Sequence, residues 1–233
     1  LERAKNLHPT DLEIYFSSGS ILSLQGKHKE AIALYEQALA FADEEADEVY
    51  YSMGLAYQSI EDYDNAIYEY AVAIDDTFAS AYFNMGNTYL NTEQYTKALD
   101  SFRKTIDIEG PSPEVYCSMG AAYENLNQFE LGLKYFQKAA KLDDFYDEAW
   151  FGAGSCLEKQ EKWYQALHFF NKAVKLNSQS AEYWKAAAHA EFKIGNTVSS
   201  ISAYEEASHY GPTDKEIWLN WSFIYYEQGE YMK

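Results

Sequence analysis

The chain has 233 residues, of which 47% are hydrophobic and 17% aromatic, an apolar content too high for a disordered protein. No run approaches the roughly 18 consecutive apolar residues that a transmembrane helix requires. The net charge of -19, from 37 acidic and 18 basic residues, repels phosphate backbones and anionic membranes and favours solubility or a basic partner.

The predicted elements repeat along the chain. A bulky residue is followed by a glycine four positions later and by another apolar residue three positions after that. The motif occurs as Tyr50-Gly54-Tyr57, Tyr82-Gly86-Tyr89, Tyr116-Gly120-Tyr123 and Trp150-Gly154-Leu157. The interval from Gly86 to Gly120 equals that from Gly120 to Gly154, and Gly19 and Gly54 continue the series upstream at nearly the same interval. Such a period is the signature of a repeat protein.

Each repeat is predicted to form two helices. Tyr82, Gly86 and Tyr89 follow an i, i+4, i+7 spacing, which places them on one face of a first helix, helix A. The glycine removes a side chain where a neighbouring helix has to approach closely. Ala98 and Phe102 share one face of a second helix, helix B, and the polar turn at Glu93-Gln94 separates the two helices. The repeat is therefore predicted to be a helical hairpin.

This spacing resembles the tetratricopeptide repeat over nearly the whole chain, with six copies in register. The resemblance implies an all-α fold, a right-handed superhelical solenoid of antiparallel helical hairpins. In chain order, the predicted parts are the end of a preceding repeat at 1–11, full repeats at 12–46, 47–78, 79–112, 113–146, 147–180 and 181–214, and a partial seventh repeat at 215–233.

The repeat at 181–214 departs most from the pattern. It has Ala188 in place of the glycine, Ser200 in place of an alanine, and Glu191 where a large apolar residue is expected. A carboxylate at this position has to reach water or find a partner. Glu191 is interpreted either as a contact residue or as local drift in a loosely packed repeat.

Both ends of the chain fall inside repeats. Residues 1–10, with Ala4 and Pro9, are predicted to be the tail of a helix B. Trp218 and Trp221 begin a helix A that no helix B follows, so they are expected to stay partly exposed. The chain is therefore expected to be a piece of a longer protein or an array with poorly capped ends.

No sequence motif indicates chemistry. The chain has no phosphate-binding glycine loop, no nucleophile elbow and no His-Glu-x-x-His motif, and its five histidines are not paired at helical spacing. Cys117 and Cys156 fit neither a metal-binding nor a redox spacing. We therefore predict no enzyme activity, no metal and no cofactor. Two free thiols favour a cytoplasmic location, although a signal sequence preceding residue 1 would change this prediction.

The resemblance implies that helix A lines a concave groove, with the fifth position of each repeat pointing into it. This position holds, along the chain, Phe16, Tyr51, Phe83, Cys117, Phe151, Lys185 and Leu219. Exposed apolar residues in such a row are typical of a binding surface. The alternative is that they pack against the next helix A. Asn84 and Asn87 add amides that are able to hydrogen-bond a peptide backbone.

A basic stripe is predicted in the last repeats. Lys185, His189 and Lys193 stand at i, i+4 and i+8, and Lys159 occupies the thirteenth position of the preceding repeat. These residues are able to hold an acidic side chain or a C-terminal carboxylate of a ligand. The alternative is that Glu182 and nearby acids neutralise them.

Three functions fit these features. The leading prediction is a non-catalytic scaffold that binds a partner protein or an extended peptide in the groove, without nucleic-acid binding or direct membrane insertion. The second is a regulatory or targeting arm of a larger enzyme or transcription regulator. The third is a structural array that associates end to end through its terminal helices.

Overall fold

The computed structural model describes residues 10–42, 46–73 and 78–227. Within these ranges the chain forms thirteen α-helices and no β-strand. The helices are α1 Leu12–Leu24, α2 His28–Leu39, α3 Asp47–Ser59, α4 Tyr63–Ala73, α5 Ala79–Asn91, α6 Tyr95–Glu109, α7 Pro113–Asn125, α8 Phe129–Leu142, α9 Asp147–Glu158, α10 Trp163–Leu176, α11 Ala181–Lys193, α12 Thr197–Tyr210 and α13 Lys215–Glu227. The predicted helical tail with Ala4 and Pro9 lies outside the described residues.

Consecutive helices pair as hairpins, α1 with α2 and so on to α11 with α12, and α13 packs on the last pair. The chain divides into two compact units, Leu1–Pro111 with α1 to α6 and Ser112–Lys233 with α7 to α13. We call them the N-terminal unit and the C-terminal unit. The prediction of an all-α fold built from antiparallel helical hairpins is confirmed.

In the first five hairpins, one glycine of helix A allows an aromatic ring of helix B to touch its backbone. A Cβ atom added at Gly54, Gly86 or Gly154 would lie 2.6 Å from the nearest ring atom of Tyr70, Phe102 or Phe170, respectively. The glycine and its ring are separated by the same interval in all three pairs, and the three rings are fully buried. The sequence prediction that this glycine permits a close helix approach is therefore confirmed, and the approaching group is the ring.

The turn between helix A and helix B is the same in all six hairpins. One residue adopts a left-handed conformation, with φ between 57° and 85°, and these residues are Gly26, Glu61, Glu93, Asn127, Glu161 and Gly195. The next amide donates back to a carbonyl five positions earlier, as from Lys162 N to Leu157 O at 2.9 Å. This hydrogen bond is typical of the Schellman motif, in which glycine is the preferred left-handed residue.

Three tryptophans fix the turn between one hairpin and the next. Trp150, Trp184 and Trp218 occupy the same position of successive repeats, in the first turn of a helix A. Their indole Nε1 atoms donate to the carbonyls of Asp144, Ser178 and Pro212 at 3.1, 2.9 and 3.0 Å. Each hydrogen bond reaches back six positions, so it ties the loop to the helix that follows it. Trp218 is 47% exposed, as expected for a helix A without a described helix B beside it.

The hairpin of α11 and α12 compensates for its unusual residues. Ala188 and Tyr204 belong to one buried cluster and keep the spacing of the glycine–ring pairs. The Ser200 hydroxyl donates to the Ala188 carbonyl at 2.7 Å, which satisfies a buried polar group. The Glu191 carboxylate accepts a hydrogen bond from Asn196 Nδ2 at 2.8 Å. The Glu191 carboxylate therefore has a hydrogen-bond partner in the turn between α11 and α12.

We predict that Gly154→Ala destabilises the C-terminal unit. The new methyl group would overlap the Phe170 ring, and overpacking of a filled core costs about 1–3 kcal/mol. On an exposed helix face the same change would stabilise by about 1 kcal/mol. Ala188→Gly, the reverse change at the corresponding position, is expected to destabilise as well. Urea unfolding measures both, and a more stable Gly154→Ala protein would contradict the prediction.

We further predict that Glu161→Gly stabilises the same unit by about 1 kcal/mol, because a left-handed conformation strains every residue that carries a Cβ atom. The matched control is Gln160→Gly, one position earlier, where the backbone is not left-handed and glycine is expected to destabilise. Thermal unfolding of the two variants tests this prediction. If both substitutions shift the unfolding midpoint in the same direction, left-handed strain at Glu161 is not the cause of the change.

Candidate peptide-binding groove

Four of the predicted groove aromatics are half-buried and fixed by contacts within their own hairpin. We call Phe16, Tyr51, Phe83 and Phe151 the ladder aromatics. Their ring centroids lie 5.8, 5.9, 5.9 and 5.7 Å from those of Tyr35, Tyr70, Phe102 and Phe170. The partner in each case is the helix B ring that packs on the helix A glycine. Each ladder aromatic therefore has one packed side and a fixed orientation.

Two ladder aromatics also contact residues at or near the next helix A. Phe151 stacks on Tyr183 of α11 with centroids 4.7 Å apart, and Tyr51 lies 4.8 Å from Phe78, immediately before α5. The alternative interpretation, packing against the next helix A, therefore applies at Phe151, and Tyr51 packs against the residue at which the next helix A begins. The binding role of the ladder aromatics remains a prediction.

The predicted amides of the N-terminal unit lie on α5. Asn84 Nδ2 donates to the Tyr51 hydroxyl at 2.7 Å, which links candidate groove residues of two successive repeats. Burial raises the pKa of Tyr51, and the hydrogen bond from Asn84 opposes that rise. Asn87 is half-buried on the same helix. The Asn84 amide is thus oriented, with its second N–H able to serve a ligand.

A cavity of about 590 Å³ lies in the C-terminal unit, and its wall includes Phe151 and Lys159. Glu124 at the end of α7 and Ser155 on α9 line the same cavity, and the Ser155 hydroxyl donates to Glu124 Oε1 at 2.5 Å. Burial raises the pKa of Glu124, whereas the Ser155 hydrogen bond and the charge of Lys159 lower it. This cavity brings together two predicted residues and a carboxylate that the sequence reasoning missed.

The basic stripe is paired within the chain. Lys185 Nζ lies 2.9 Å from Asp214 Oδ2 and 2.9 Å from Glu216 Oε2. His189 Nδ1 lies 2.6 Å from Glu158 Oε1, and Lys193 Nζ lies 5.6 Å from the Trp163 ring centroid. The pairing carboxylates come from neighbouring elements and not from Glu182 on the same helix. A ligand carboxylate at Lys185 would therefore have to compete with two carboxylates already in place.

The Lys185 pair also changes proton affinities. Burial lowers the pKa of Lys185, but the hydrogen bonds to Asp214 and Glu216 outweigh it, so the pKa is raised. The hydrogen bond from Lys185 is the main cause of the lowered pKa of Asp214. The interaction joins α11 to the start of α13 and stabilises the charged form of both groups.

Glu124 and Glu158 were missed although a sequence signal for them exists. Both occupy the twelfth position of their repeats, and each faces the ninth position of the following repeat, Ser155 or His189. The signal is the recurrence of a glutamate at the same position of two successive repeats.

Both cysteines lie in environments that disfavour the thiolate form. Burial raises the pKa of both Cys117 and Cys156 to about 12, so the thiols stay protonated and are poor nucleophiles at neutral pH. Among the described residues, no group of three or more His, Cys, Asp or Glu side chains is arranged to hold a metal ion. None of the described helices combines the length and apolar character needed to cross a membrane.

Family comparisons agree with the repeat pattern. Models described as tetratricopeptide repeat match residues 12–44, 47–74, 67–100 and 117–181. The chain belongs to the tetratricopeptide repeat family. No curated protein sequence matches it.

Solved structures share the fold at low sequence identity. The Cut9–Hcn1 hetero-tetramer of the APC/C gives a TM-score of 0.74 at 14% identity, over 96% of this chain and 44% of that chain. The pilF protein of Pseudomonas aeruginosa gives 0.74 at 16% identity, over 93% and 97%. YrrB, a TPR protein described as having an unusual peptide-binding site, gives 0.54 at 22% identity, over 94% and 95%. The chain thus spans less than half of the Cut9–Hcn1 chain it matches.

We predict that Lys185→Met lowers the local stability of α13. Its amide protection factors in hydrogen exchange are expected to fall about two- to fivefold at pH 7, the effect typical of a partly exposed ion pair. Because the pKa of Asp214 is lowered by folding, the pair stabilises above the unfolded-state pKa and its contribution is lost as the pH falls through the folded-state pKa. The effect of the substitution should therefore shrink towards acid pH.

Lys215→Met is the matched control, since Lys215 is exposed in the first turn of α13 and carries the same charge. It is expected to leave the protection factors unchanged. Equal effects of the two substitutions at pH 7, or an effect of Lys185→Met that does not depend on pH, would contradict the assignment.

Proposed function

We propose that this chain is a non-catalytic scaffold that binds extended segments of a partner protein on the helix A surface of each of its two units. The observation that carries the proposal is the fixed orientation of the ladder aromatics. Each ring packs on one side against a buried helix B ring, and each is half-buried and not fully buried. A rigid, half-exposed aromatic loses little conformational entropy on binding, which is why such residues dominate binding energy.

Polar groups beside the ladder aromatics supply direction to such a contact. In the N-terminal unit these are the amides of Asn84 and Asn87, and in the C-terminal unit they are Glu124, Ser155 and Lys159. Apolar anchors with adjacent hydrogen-bonding groups are typical of peptide recognition. The net charge of -19 supports a protein partner over nucleic acid.

The similar structures support the class of function and not a particular partner. Cut9 was solved in a hetero-tetramer with Hcn1, and YrrB is described as having a peptide-binding site. At 14% and 22% identity these proteins share the fold alone with this chain. Their groove residues therefore identify no ligand here, and the argument for binding depends on the ladder aromatics.

We predict that changing all four ladder aromatics to alanine weakens capture of the partner at least tenfold, because truncating a central anchor typically costs about 1 kcal/mol or more. Affinity capture from the source lysate, followed by titration of the captured protein, measures the loss. Circular dichroism confirms first that the variant remains helical.

The matched control removes three aromatics elsewhere. Tyr68, Phe145 and Tyr164 are 64%, 78% and 75% exposed and lie outside helix A, so their change to alanine is expected to leave capture unchanged. If the ladder variant captures as well as the native chain, or if the control loses as much, the ladder aromatics are not the binding surface.

A further inference from the structure

The C-terminal unit contains two equivalent sets of four residues, one repeat apart. The first is Glu124, Phe129, Ser155 and Lys159, and the second is Glu158, Trp163, His189 and Lys193. Each member of the second set occupies the same repeat position as its counterpart in the first. Both sets combine a carboxylate at the end of one helix A, an aromatic residue at the start of helix B, and two residues of the next helix A. We call them the open set and the filled set.

The filled set holds an imidazole of its own chain. His189 Nδ1 lies 2.6 Å from Glu158 Oε1, and the imidazole meets the Trp163 ring edge-on at 5.4 Å between centroids. Lys193 Nζ lies 5.6 Å from the same indole. The arrangement shows that this corner of the repeat accepts a planar nitrogen donor between a carboxylate and an aromatic ring.

The open set has the same frame without the planar group. Serine replaces histidine and phenylalanine replaces tryptophan, and both replacements are smaller. All four residues of the open set line the cavity of about 590 Å³, a volume within the range of about 300–1,000 Å³ found for small-ligand sites. Where the filled set has imidazole against Glu158, the open set has only the Ser155 hydroxyl against Glu124 Oε1.

Charge favours a cation in this cavity. Glu124 and Glu148 line it together with Lys159, which leaves an excess of one negative charge. Glu124 is partly desolvated, and a hydrogen-bonded cation compensates such a carboxylate better than water does. The Phe129 and Phe151 rings line the same space and offer faces on which a planar cation is able to stack.

We propose that the open set binds the guanidinium group of one arginine of the partner segment, in the position that the His189 imidazole takes in the filled set. This inference rests on the proposed function and specifies one contact of it. A guanidinium is planar, stacks on aromatic faces and pairs with a carboxylate through two parallel hydrogen bonds. A lysine ammonium is not planar, so it neither stacks on an aromatic face nor forms two parallel hydrogen bonds with one carboxylate.

The test uses the full chain, labelled with ¹⁵N, and the tripeptide acetyl-Ala-Arg-Ala-amide. The peptide is expected to shift the amide resonances of Gly152 and Ser155 saturably. The same tripeptide with citrulline, which has the shape of arginine but no charge, should bind about tenfold more weakly, because the hydrogen bond to Glu124 is then no longer between charged groups. The lysine tripeptide controls for charge alone and is also expected to bind more weakly.

Three variants locate the site. Ser155→His places in the open set the residue of the filled set and should abolish binding, and Glu124→Gln should weaken it about tenfold while keeping the shape. His189→Ser empties the filled set and should create a second arginine site, seen as new shifts at residue 189. Wild-type folding of each variant is read from the same spectra.

Equal binding of the arginine, citrulline and lysine tripeptides, persistent binding to the Ser155→His protein, or no saturable shift at Gly152 and Ser155 would each overturn the inference. The tripeptide requires no partner protein. A negative result therefore leaves capture through the ladder aromatics intact. Failure of capture through Phe16, Tyr51 and Phe83, which lie in the N-terminal unit, would not remove arginine binding at the open set.

Discussion

The contact between a helix A glycine and a helix B ring determines how the first five hairpins close. With no Cβ at Gly54, Gly86 or Gly154, the ring of Tyr70, Phe102 or Phe170 packs against the helix A backbone. The same ring then supports the ladder aromatic three positions before the glycine. One constraint therefore sets the distance between the helices, fills the core of the hairpin, and orients the aromatic that faces outward.

Contacts between successive hairpins vary more in residue type than the contacts within each hairpin. The apolar skeleton repeats, but the polar pair joining one helix A to the next changes along the chain, as in Tyr51 with Asn84, Glu124 with Ser155, and Glu158 with His189. Each hairpin already closes through its own core, so these positions are not required for it. The residue types at these positions therefore differ between repeats without disrupting the hairpins. The open set has a smaller residue than the filled set at two of its four positions.

The contrast between these two kinds of contact explains what sequence reasoning predicted. Helix A, helix B and the role of Gly86 follow from spacings within about 20 residues, and local periodicity reports such spacings directly. The pairing of Lys185 with Asp214 and Glu216 does not follow from local periodicity, because it joins residues of different repeats whose types vary along the chain. A residue such as Lys185 therefore looks like an available cation in the sequence and has two carboxylate partners in the fold.

This pairing also offsets the positive charge of the basic stripe, in line with the alternative interpretation that nearby acids neutralise it. Lys185 and His189 were interpreted as a basic stripe for an acidic ligand, but each is met by carboxylates of the same unit. Once these pairs are counted, the side chains lining the cavity of the open set, Glu124, Glu148 and Lys159, carry an excess of one formal negative charge. Asp147, in the first turn of α9, is a further acid beside Glu148. Burial strengthens the effect, because a partly desolvated carboxylate such as Glu124 interacts with a cation through a lower effective dielectric than surface groups do. The charge available to a ligand is therefore the charge that remains after the repeats have paired with one another. Around the open set, that remaining charge has the sign that the proposed arginine contact requires.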